Sequence, residues 1–227
     1  MKKLLVALAL LAFHLPLLAH NVAAKDAEFL KQSQGVHFFP YLYLGAKHMV
    51  TGYDHLLFLF GVIFFLYKLK DVALYVTCFA VGHSLTLLGG VLSGAHLNPY
   101  IVDAIIGLSV VYKAFDNING FKTLFGFEPN TKLAVLGFGL VHGFGLATKL
   151  QDLNLSPNGL IGNMLSFNVG VEVGQLIALV VILAAMTWWR GTRDFMKHAV
   201  SANVIVMTLG FILMGYQIAG YLTEKAA

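Results

Sequence analysis

The sequence predicts an all-α fold, a polytopic membrane helical bundle of six transmembrane helices that follow an N-terminal signal peptide. The first observation is composition. The 227 residues are 58% apolar and 11% charged, and their mean hydropathy is +0.77, whereas soluble domains are roughly 45–50% apolar and about 25% charged. The second is the spacing of the apolar runs, most of which approach the ~20 residues that cross a bilayer. Lys and Arg are scattered through the short loops between these runs, which argues against a nucleic-acid partner.

Residues 1–24 have the pattern of a secretory signal peptide. Two lysines precede an apolar run of suitable length, and small side chains at the −3 and −1 positions favour cleavage after Ala24. Cleavage after Ala19 is an alternative that would make His20 the amino terminus. An uncleaved anchor is a third interpretation, but this apolar run is shorter than the ~20 residues of a comfortable span.

The remaining chain divides into a short external segment and a membrane domain. Residues 25–45 are expected to lie in the periplasm and at the membrane interface, because aromatic side chains there resemble an interfacial belt. Residues 46–227 are expected to form the transmembrane domain. Its six spans are predicted at about residues 46–67, 72–92, 98–115, 132–148, 158–188 and 199–221.

The basic residues predict the orientation in the membrane. The loops after the first, third and fifth spans carry eight Lys and Arg, whereas the other loops and the carboxyl-terminal tail carry two, Lys149 and Lys225. The positive-inside rule places the loops with eight in the cytoplasm. A cleaved signal peptide independently predicts the same orientation. We therefore expect a multi-pass protein of the bacterial inner membrane with its mature amino terminus in the periplasm.

The first candidate site lies where the first span begins. His48, Asp54 and His55 occur within eight residues, directly before a strongly apolar run. On one continuous helix, the spacing of seven would place both imidazoles on the same face, two turns apart. Ionisable side chains are costly inside a membrane and face the protein interior or a water-filled cavity. This stretch is therefore predicted to be functional.

Three later spans each add one titratable candidate. His83 lies near the middle of the second span, His142 lies within a glycine motif typical of tight helix packing, and Glu172 shares a predicted helix face with Asn168 and Gln175. Each also has a purely structural interpretation. A histidine can bond to a neighbouring helix, and a protonated Glu172 can bond to the nearby amides.

Two residues near the outer edge carry weaker signals. Asp103 is predicted to be a carboxylate in the first turn of a helix, where such groups are favoured, with a ligand of an outer vestibule as the alternative. His37 is predicted to be an interfacial side chain, with metal capture as the alternative.

Taken together, the candidates predict a site for a divalent transition metal. Each such side chain costs roughly 2–3 kcal/mol or more within a membrane, and helix packing does not explain several of them on four helices. Imidazole and carboxylate donors suit nickel, zinc, iron and copper(II), and the single thiol, Cys78, disfavours copper(I). The predicted ligands are His48, Asp54, His55, His83, His142 and Glu172.

The motifs around these residues resemble those of the HupE/UreJ membrane proteins. The pattern His-x5-Asp-His before LLFL is similar to that family, and GHSLTLL, GLVHGFGLA and FNVGVEVGQL are similar to its second branch. The resemblance covers about residues 46–220. It implies a nickel or cobalt permease, with His48, Asp54 and His55 as the metal-binding signature and with His142 and Glu172 in a second motif. The better-known second motif has two closely spaced histidines followed by an acid, whereas this sequence has only His142 there.

The sequence therefore predicts an inner-membrane permease that moves a divalent metal into the cytoplasm, with nickel preferred and zinc or cobalt as alternatives. The chain lacks a Walker A motif, so transport would be passive, proton-linked or driven by the membrane potential. One alternative is an intramembrane zinc-dependent hydrolase with a lipid-like substrate, in which Glu172 is the general base. Another is an accessory protein for metalloenzyme maturation. The expected partners are the lipid bilayer, the metal ion as substrate, and a second copy or a maturation partner.

Overall fold

The computed structural model describes residues 24–226, and this part of the chain is entirely helical apart from its connections. Residues 1–23, with most of the predicted signal peptide, lie outside the described residues. The helices are α1 (Ala24–Gln32), α2 (Phe38–Thr51), α3 (Tyr53–Ile63), α4 (Leu69–Ser93), α5 (Pro99–Asn117), α6 (Gly120–Phe125), α7 (Thr131–Gln151), α8 (Leu160–Arg190) and α9 (Phe195–Ala226).

Four of the described helices, α4, α7, α8 and α9, are long and apolar enough to cross a membrane by length and composition. They coincide with the predicted second, fourth, fifth and sixth spans. The 19-residue helix α5 coincides with the third predicted span, but it carries three charged side chains, Asp103, Lys113 and Asp116. The all-helical membrane fold is confirmed at this level.

The predicted first span is not one continuous helix, and that prediction is wrong. Helix α2 ends at Thr51 and α3 begins at Tyr53, while Gly52 between them has extended backbone angles (φ −74°, ψ 102°). The Gly52 N–H donates to the carbonyl of His48 at 2.9 Å. Glycine favours such a break because it is a poor helix former. Helix α2 also begins at Phe38, eight residues before the predicted start.

The long helices pack as three tight pairs, and glycines make each pair possible. In the α4–α7 pair, a Cβ atom on Gly82 would lie 2.5 Å from the Leu136 carbonyl oxygen, and one on Gly143 would overlap the His83 carbonyl. The backbones of α4 and α7 are therefore in direct contact, as in the small-xxx-small packing of membrane helices. This contact fixes His83 of α4 relative to His142 of α7.

The other two pairs follow the same pattern. A Cβ on Gly170 of α8 would overlap the Leu42 carbonyl of α2, and one on Gly174 would lie 2.6 Å from the Ala46 carbonyl oxygen. In the α5–α9 pair, Gly107 approaches the Met214 backbone nitrogen. Short helix α3 contacts members of all three pairs, so it lies at the centre of the bundle.

Hydrogen bonds from neighbouring helices hold the last turn of α3 in place. Arg190 of α8 donates to the carbonyls of Leu66 at 2.9 Å and Phe64 at 2.8 Å, just beyond the last helical residue. Asn117 of α5 donates to the Gly61 carbonyl at 2.8 Å. The last carbonyls of a helix lack an intrahelical N–H, and these bonds supply donors there; the Gly61 carbonyl also accepts from the Phe64 N–H at 3.4 Å. Because these bonds hold the end of α3, they also limit the movement of its first turn, which carries Asp54 and His55.

The α4–α7 contact gives a stability prediction. We expect Gly143→Ala to lower the free energy of unfolding by about 1–3 kcal/mol, the usual cost of adding a methyl group to a packed interior. The added methyl would meet the carbonyl of His83 and the hydroxyl of Thr86. Thermal unfolding in detergent measures the effect. Gly137→Ala on the same helix is the matched control because its Cβ would have no atom within 4 Å; equal melting temperatures for the two variants would contradict the close contact.

Candidate metal site

His55 lies at the centre of a cluster of buried imidazoles. Its ring centroid is 4.9 Å from that of His142, 5.2 Å from that of His48 and 5.9 Å from that of His83. The Asp54 carboxylate oxygen Oδ1 is 3.3 Å from His55 Nδ1. His55, His83, His142 and Asp54 are each at most 2% exposed. The structure thus brings together five of the six predicted ligands, which we call the histidine cluster.

The break at Gly52 explains why His48 and His55 are so close. Seven residues of one continuous helix would separate them by about 10 Å along the axis, yet their ring centroids are 5.2 Å apart. The chain turns between them, so the end of α2 and the beginning of α3 contribute to the same site. Asp54 lies in the first turn of α3, where the helix dipole favours a carboxylate.

His142 is oriented by a backbone hydrogen bond. Its Nδ1 is 2.8 Å from the carbonyl oxygen of Phe138. A carbonyl oxygen only accepts, so Nδ1 carries the proton and the neutral ring keeps a lone pair on Nε2. Among the described residues, nothing hydrogen-bonds to that buried Nε2. Metal-binding histidines commonly use such a bond to a carbonyl to fix their tautomer, so His142 has the form of a ligand.

His83 has unused bonding capacity as well. Both of its ring nitrogens are buried and have no hydrogen-bond partner within residues 24–226. A buried polar group without a partner costs about 1–3 kcal/mol. The backbone contact between α4 and α7 nevertheless holds this ring beside His55. A bound ion or water would recover the missing interaction.

The distances between the ring centroids are suitable for a shared metal ion, but the ring nitrogens do not point to one common position. In the described part of the chain, no group of three or more His, Cys, Asp or Glu side chains is arranged to hold a metal ion. Imidazoles bound to one tetrahedral ion at ~2.0–2.1 Å have ring centroids roughly 5 Å apart. The separations around His55 are 4.9–5.9 Å. Side-chain torsions therefore decide whether these nitrogens converge.

One side of the histidine cluster is closed by apolar side chains. The rings of Phe79 and Phe58 lie 5.1 and 5.5 Å from the ring of His142. Beside them is a cavity of about 10 Å³, which His55, Gln175 and Tyr75 line together with apolar side chains and which is enough for about one water molecule. Six of the apolar residues that line this cavity form what we call the apolar layer: Phe58, Leu59, Val62, Val76, Phe79 and Val135.

Comparison with known proteins identifies the family. A family model described as HupE / UreJ protein matches residues 24–225, nearly all of the chain that follows the predicted signal peptide. This chain belongs to the HupE/UreJ family. No curated protein and no solved structure matches it.

Membership of the HupE/UreJ family confirms the resemblance drawn from the motifs. The family is associated with nickel or cobalt transport and with metalloenzyme maturation. With the four apolar helices, membership also supports a multi-pass membrane protein. In this HupE/UreJ protein, the histidine cluster contains all three residues of the His-x5-Asp-His signature.

Glu172 is the predicted ligand that the histidine cluster does not include. Its side chain is on the exposed face of α8 and accepts a weak hydrogen bond from Ser84 at 3.4 Å. Ser84 in turn accepts from Asn168 at 2.9 Å. The cause is the packing of α8, since Gly170 and Gly174 face α2 and the residue midway between them points away.

Two other sequence candidates, His37 and Asp103, bond to groups that are not members of the cluster. The His37 ring bonds to the Gln34 carbonyl at 2.9 Å, and its backbone N–H donates to Asn163 at 2.7 Å, so His37 precedes α2 as a structural residue. Asp103 forms a buried ion pair with Lys149, with 2.7 Å between Oδ2 and Nζ.

Sequence reasoning missed the roles of Gly52, the Phe138 carbonyl and Lys149. Gly52 left a signal, because a glycine between His48 and Asp54 is unfavourable in a continuous helix. The Phe138 carbonyl left none, since every helical residue has one. Lys149 was counted only as a loop charge that reports orientation, although its side chain is 14% exposed.

Proposed function

We propose that this protein is an inner-membrane permease that moves a divalent transition metal, with nickel as the first candidate, from the periplasm to the cytoplasm. The ion is the substrate. His48, Asp54, His55, His83 and His142 would bind it during passage. Cobalt and zinc are the alternative substrates, since the same donors suit them.

The observation that carries this proposal is the histidine cluster itself. Four imidazoles and a carboxylate from α2, α3, α4 and α7 lie in the interior of an apolar bundle. Placing so many titratable groups in a membrane is costly, and such groups mark ion pathways and relays. Nε2 of His142 and both ring nitrogens of His83 have no hydrogen-bond partner among the described residues, which supports a ligand role for these two rings.

The apolar layer supports transport by a carrier rather than by an open pore. Val135 and His142 are seven residues apart on α7, so they lie on one face about 10 Å from each other. An ion held at the histidine cluster would meet Val135, Phe58 and Phe79 on one side. Passage then requires the helices to move. Inward movement of a divalent cation gains ~4.6 kcal/mol per 100 mV of membrane potential, which would favour release into the cytoplasm.

The direct test is uptake of ⁶³Ni²⁺ by sealed vesicles that contain the purified protein. We expect Asp54→Asn to reduce the initial rate by about 10- to 100-fold, because it removes the carboxylate of the cluster while keeping its shape. The comparison variant is Glu172→Gln, which changes a carboxylate outside the cluster. We expect Glu172→Gln to retain uptake within about twofold, the range of an ordinary surface change.

The outcome separates the proposal from its rivals. Wild-type uptake equal to that of empty vesicles would reject a permease for nickel, and competition by Co²⁺ or Zn²⁺ would identify the preferred ion. Equal losses for Asp54→Asn and Glu172→Gln would argue that both carboxylates lie on the route. Total protein in the vesicles and thermal unfolding exclude loss of folding as the cause.

An intramembrane zinc hydrolase is the second candidate, and the apolar layer beside the cluster favours it. A resident metal needs three protein ligands and one open position, and it does not need a route through the membrane. In that case the purified protein would hold zinc at one ion per chain after exposure to a chelator. An accessory role in metalloenzyme maturation would leave neither uptake nor hydrolysis of a lipid-like substrate.

A further inference from the structure

The buried ion pair between Asp103 and Lys149 lies close to the histidine cluster, on the side opposite the apolar layer. His142 and Lys149 are seven residues apart on α7, hence on one face and about 10 Å apart. The Lys149 ammonium group lies within electrostatic range of His48, and the Asp103 carboxylate lies within electrostatic range of Asp54 and His55.

Gly145 of α7 allows α5 and α7, the helices that carry Asp103 and Lys149, to approach each other. A Cβ on Gly145 would lie 3.0 Å from Val102 Cγ1 and 3.8 Å from Asp103 Oδ1. The Asp103 carboxylate of α5 therefore lies on the same side of α7 as Lys149. In the proposed orientation this side faces the periplasm, where the ion would enter.

The pair uses only half of the Asp103 carboxylate. Lys149 Nζ is 2.7 Å from Oδ2, and the two side chains are 14% and 9% exposed. The other oxygen, Oδ1, is buried and has no hydrogen-bond partner among the described residues. A carboxylate with one unused, buried oxygen can accept a second cation.

Stability alone is a weak explanation for this pair. Removing two charges from water costs about as much as their attraction returns, and apolar replacements of buried pairs are often neutral or stabilising. An ion pair placed at the entrance to a cation site has a second effect. Lys149 cancels the negative charge that would otherwise attract every cation to Asp103.

We propose that Asp103 is the first binding residue for the incoming divalent cation and that Lys149 is a tethered competitor which the cation displaces. This inference rests on the proposed function and adds an entry step to it. Lys149 has a flexible four-carbon stem and a single point charge, so its ammonium group can leave the carboxylate without movement of the helix. A divalent ion has twice the Coulomb attraction of a monovalent ion to the same carboxylate, so this exchange favours divalent ions.

The test measures the Kd of Ni²⁺ by equilibrium dialysis with the purified full chain. We expect Lys149→Gln to lower the Kd roughly tenfold, because it removes the ammonium group that competes with the ion for the Asp103 carboxylate. We expect Asp103→Asn to raise the Kd by about tenfold or more, because it removes the carboxylate and leaves Lys149 positive.

The deciding comparison is Lys149→Gln against the double variant Asp103→Asn/Lys149→Gln. Both lack the ion pair, so they differ only in the carboxylate. We expect the double variant to bind about tenfold more weakly, and equal Kd values would overturn the inference. If Lys149→Gln does not fold, Lys149→Arg decides instead. Arginine holds a carboxylate with two parallel bonds, so it should raise the Kd, and an unchanged Kd would overturn the inference.

The same experiment separates this inference from the proposed function. If the wild type binds no Ni²⁺, the proposed function fails. If the wild type binds Ni²⁺ and both single variants weaken binding alike, the ion pair has only a structural role, and the inference fails while the permease proposal stands.

Discussion

Substitution of His55 by alanine is expected to raise the Kd for Ni²⁺ by about 100-fold or more. His55 is the ring that contacts the other three imidazoles and the Asp54 carboxylate. Its removal would therefore take away one ligand and also the group against which the others are packed. Equilibrium dialysis or calorimetry with the purified protein measures the change.

The matched control for this variant is His198→Ala on α9. His198 is a partly buried histidine whose backbone N–H bonds to Asp194 at 3.1 Å, and it is not one of the four clustered rings. We expect its Kd to stay within about twofold of the wild type. A His55→Ala protein that melts like the wild type and binds Ni²⁺ equally well would show that the histidine cluster is not the metal site.

The second large effect is expected from Gly52→Ala, which keeps every proposed ligand. A Cβ at this position would lie 2.9 Å from His55 Nδ1, 3.1 Å from the His48 carbonyl oxygen and 3.2 Å from Asp54 Oδ1. The backbone angles of Gly52 are open to any residue, so the strain comes from the site and not from φ. We expect the Kd for Ni²⁺ to rise about tenfold, because the methyl group separates Asp54 from His55.

A glycine in open space gives the comparison. Gly89→Ala in α4 adds the same methyl where no atom lies within 4 Å, so we expect the Kd to stay the same and the helix to gain slightly in stability. If Gly52→Ala and Gly89→Ala bind Ni²⁺ equally well, the break between α2 and α3 has no part in shaping the site.

Much of the fold follows from hydropathy alone. The helices α4, α7, α8 and α9 agree with the predicted spans to within a few residues at most ends, because an apolar run long enough to cross a bilayer has few other stable arrangements. Helix contacts were harder to predict. Gly82 and Gly143 indicate that a backbone comes close, but they do not say that His83 and His142 belong to the same pair.

The candidate site was predictable in its members and not in its geometry. Cost in a membrane identifies His83 and His142, since few packing arguments require an imidazole there. The rotation of a helix about its own axis was not predictable in the same way. Glu172, Asn168 and Gln175 share a face by periodicity, yet Gly170 and Gly174 fix the face that meets α2 and leave Glu172 exposed. Periodicity alone does not say which of the two faces of α8 meets a neighbouring helix.

The small size of the cavity beside His55 also bears on proton leakage through the bundle. A continuous file of water through the bundle would leak protons and dissipate the energy stored across the membrane. The apolar layer, beside a cavity with room for about one water, would interrupt that file. If the protein is the proposed permease, we therefore expect turnover numbers far below those of ion channels and no measurable steady current in planar bilayers.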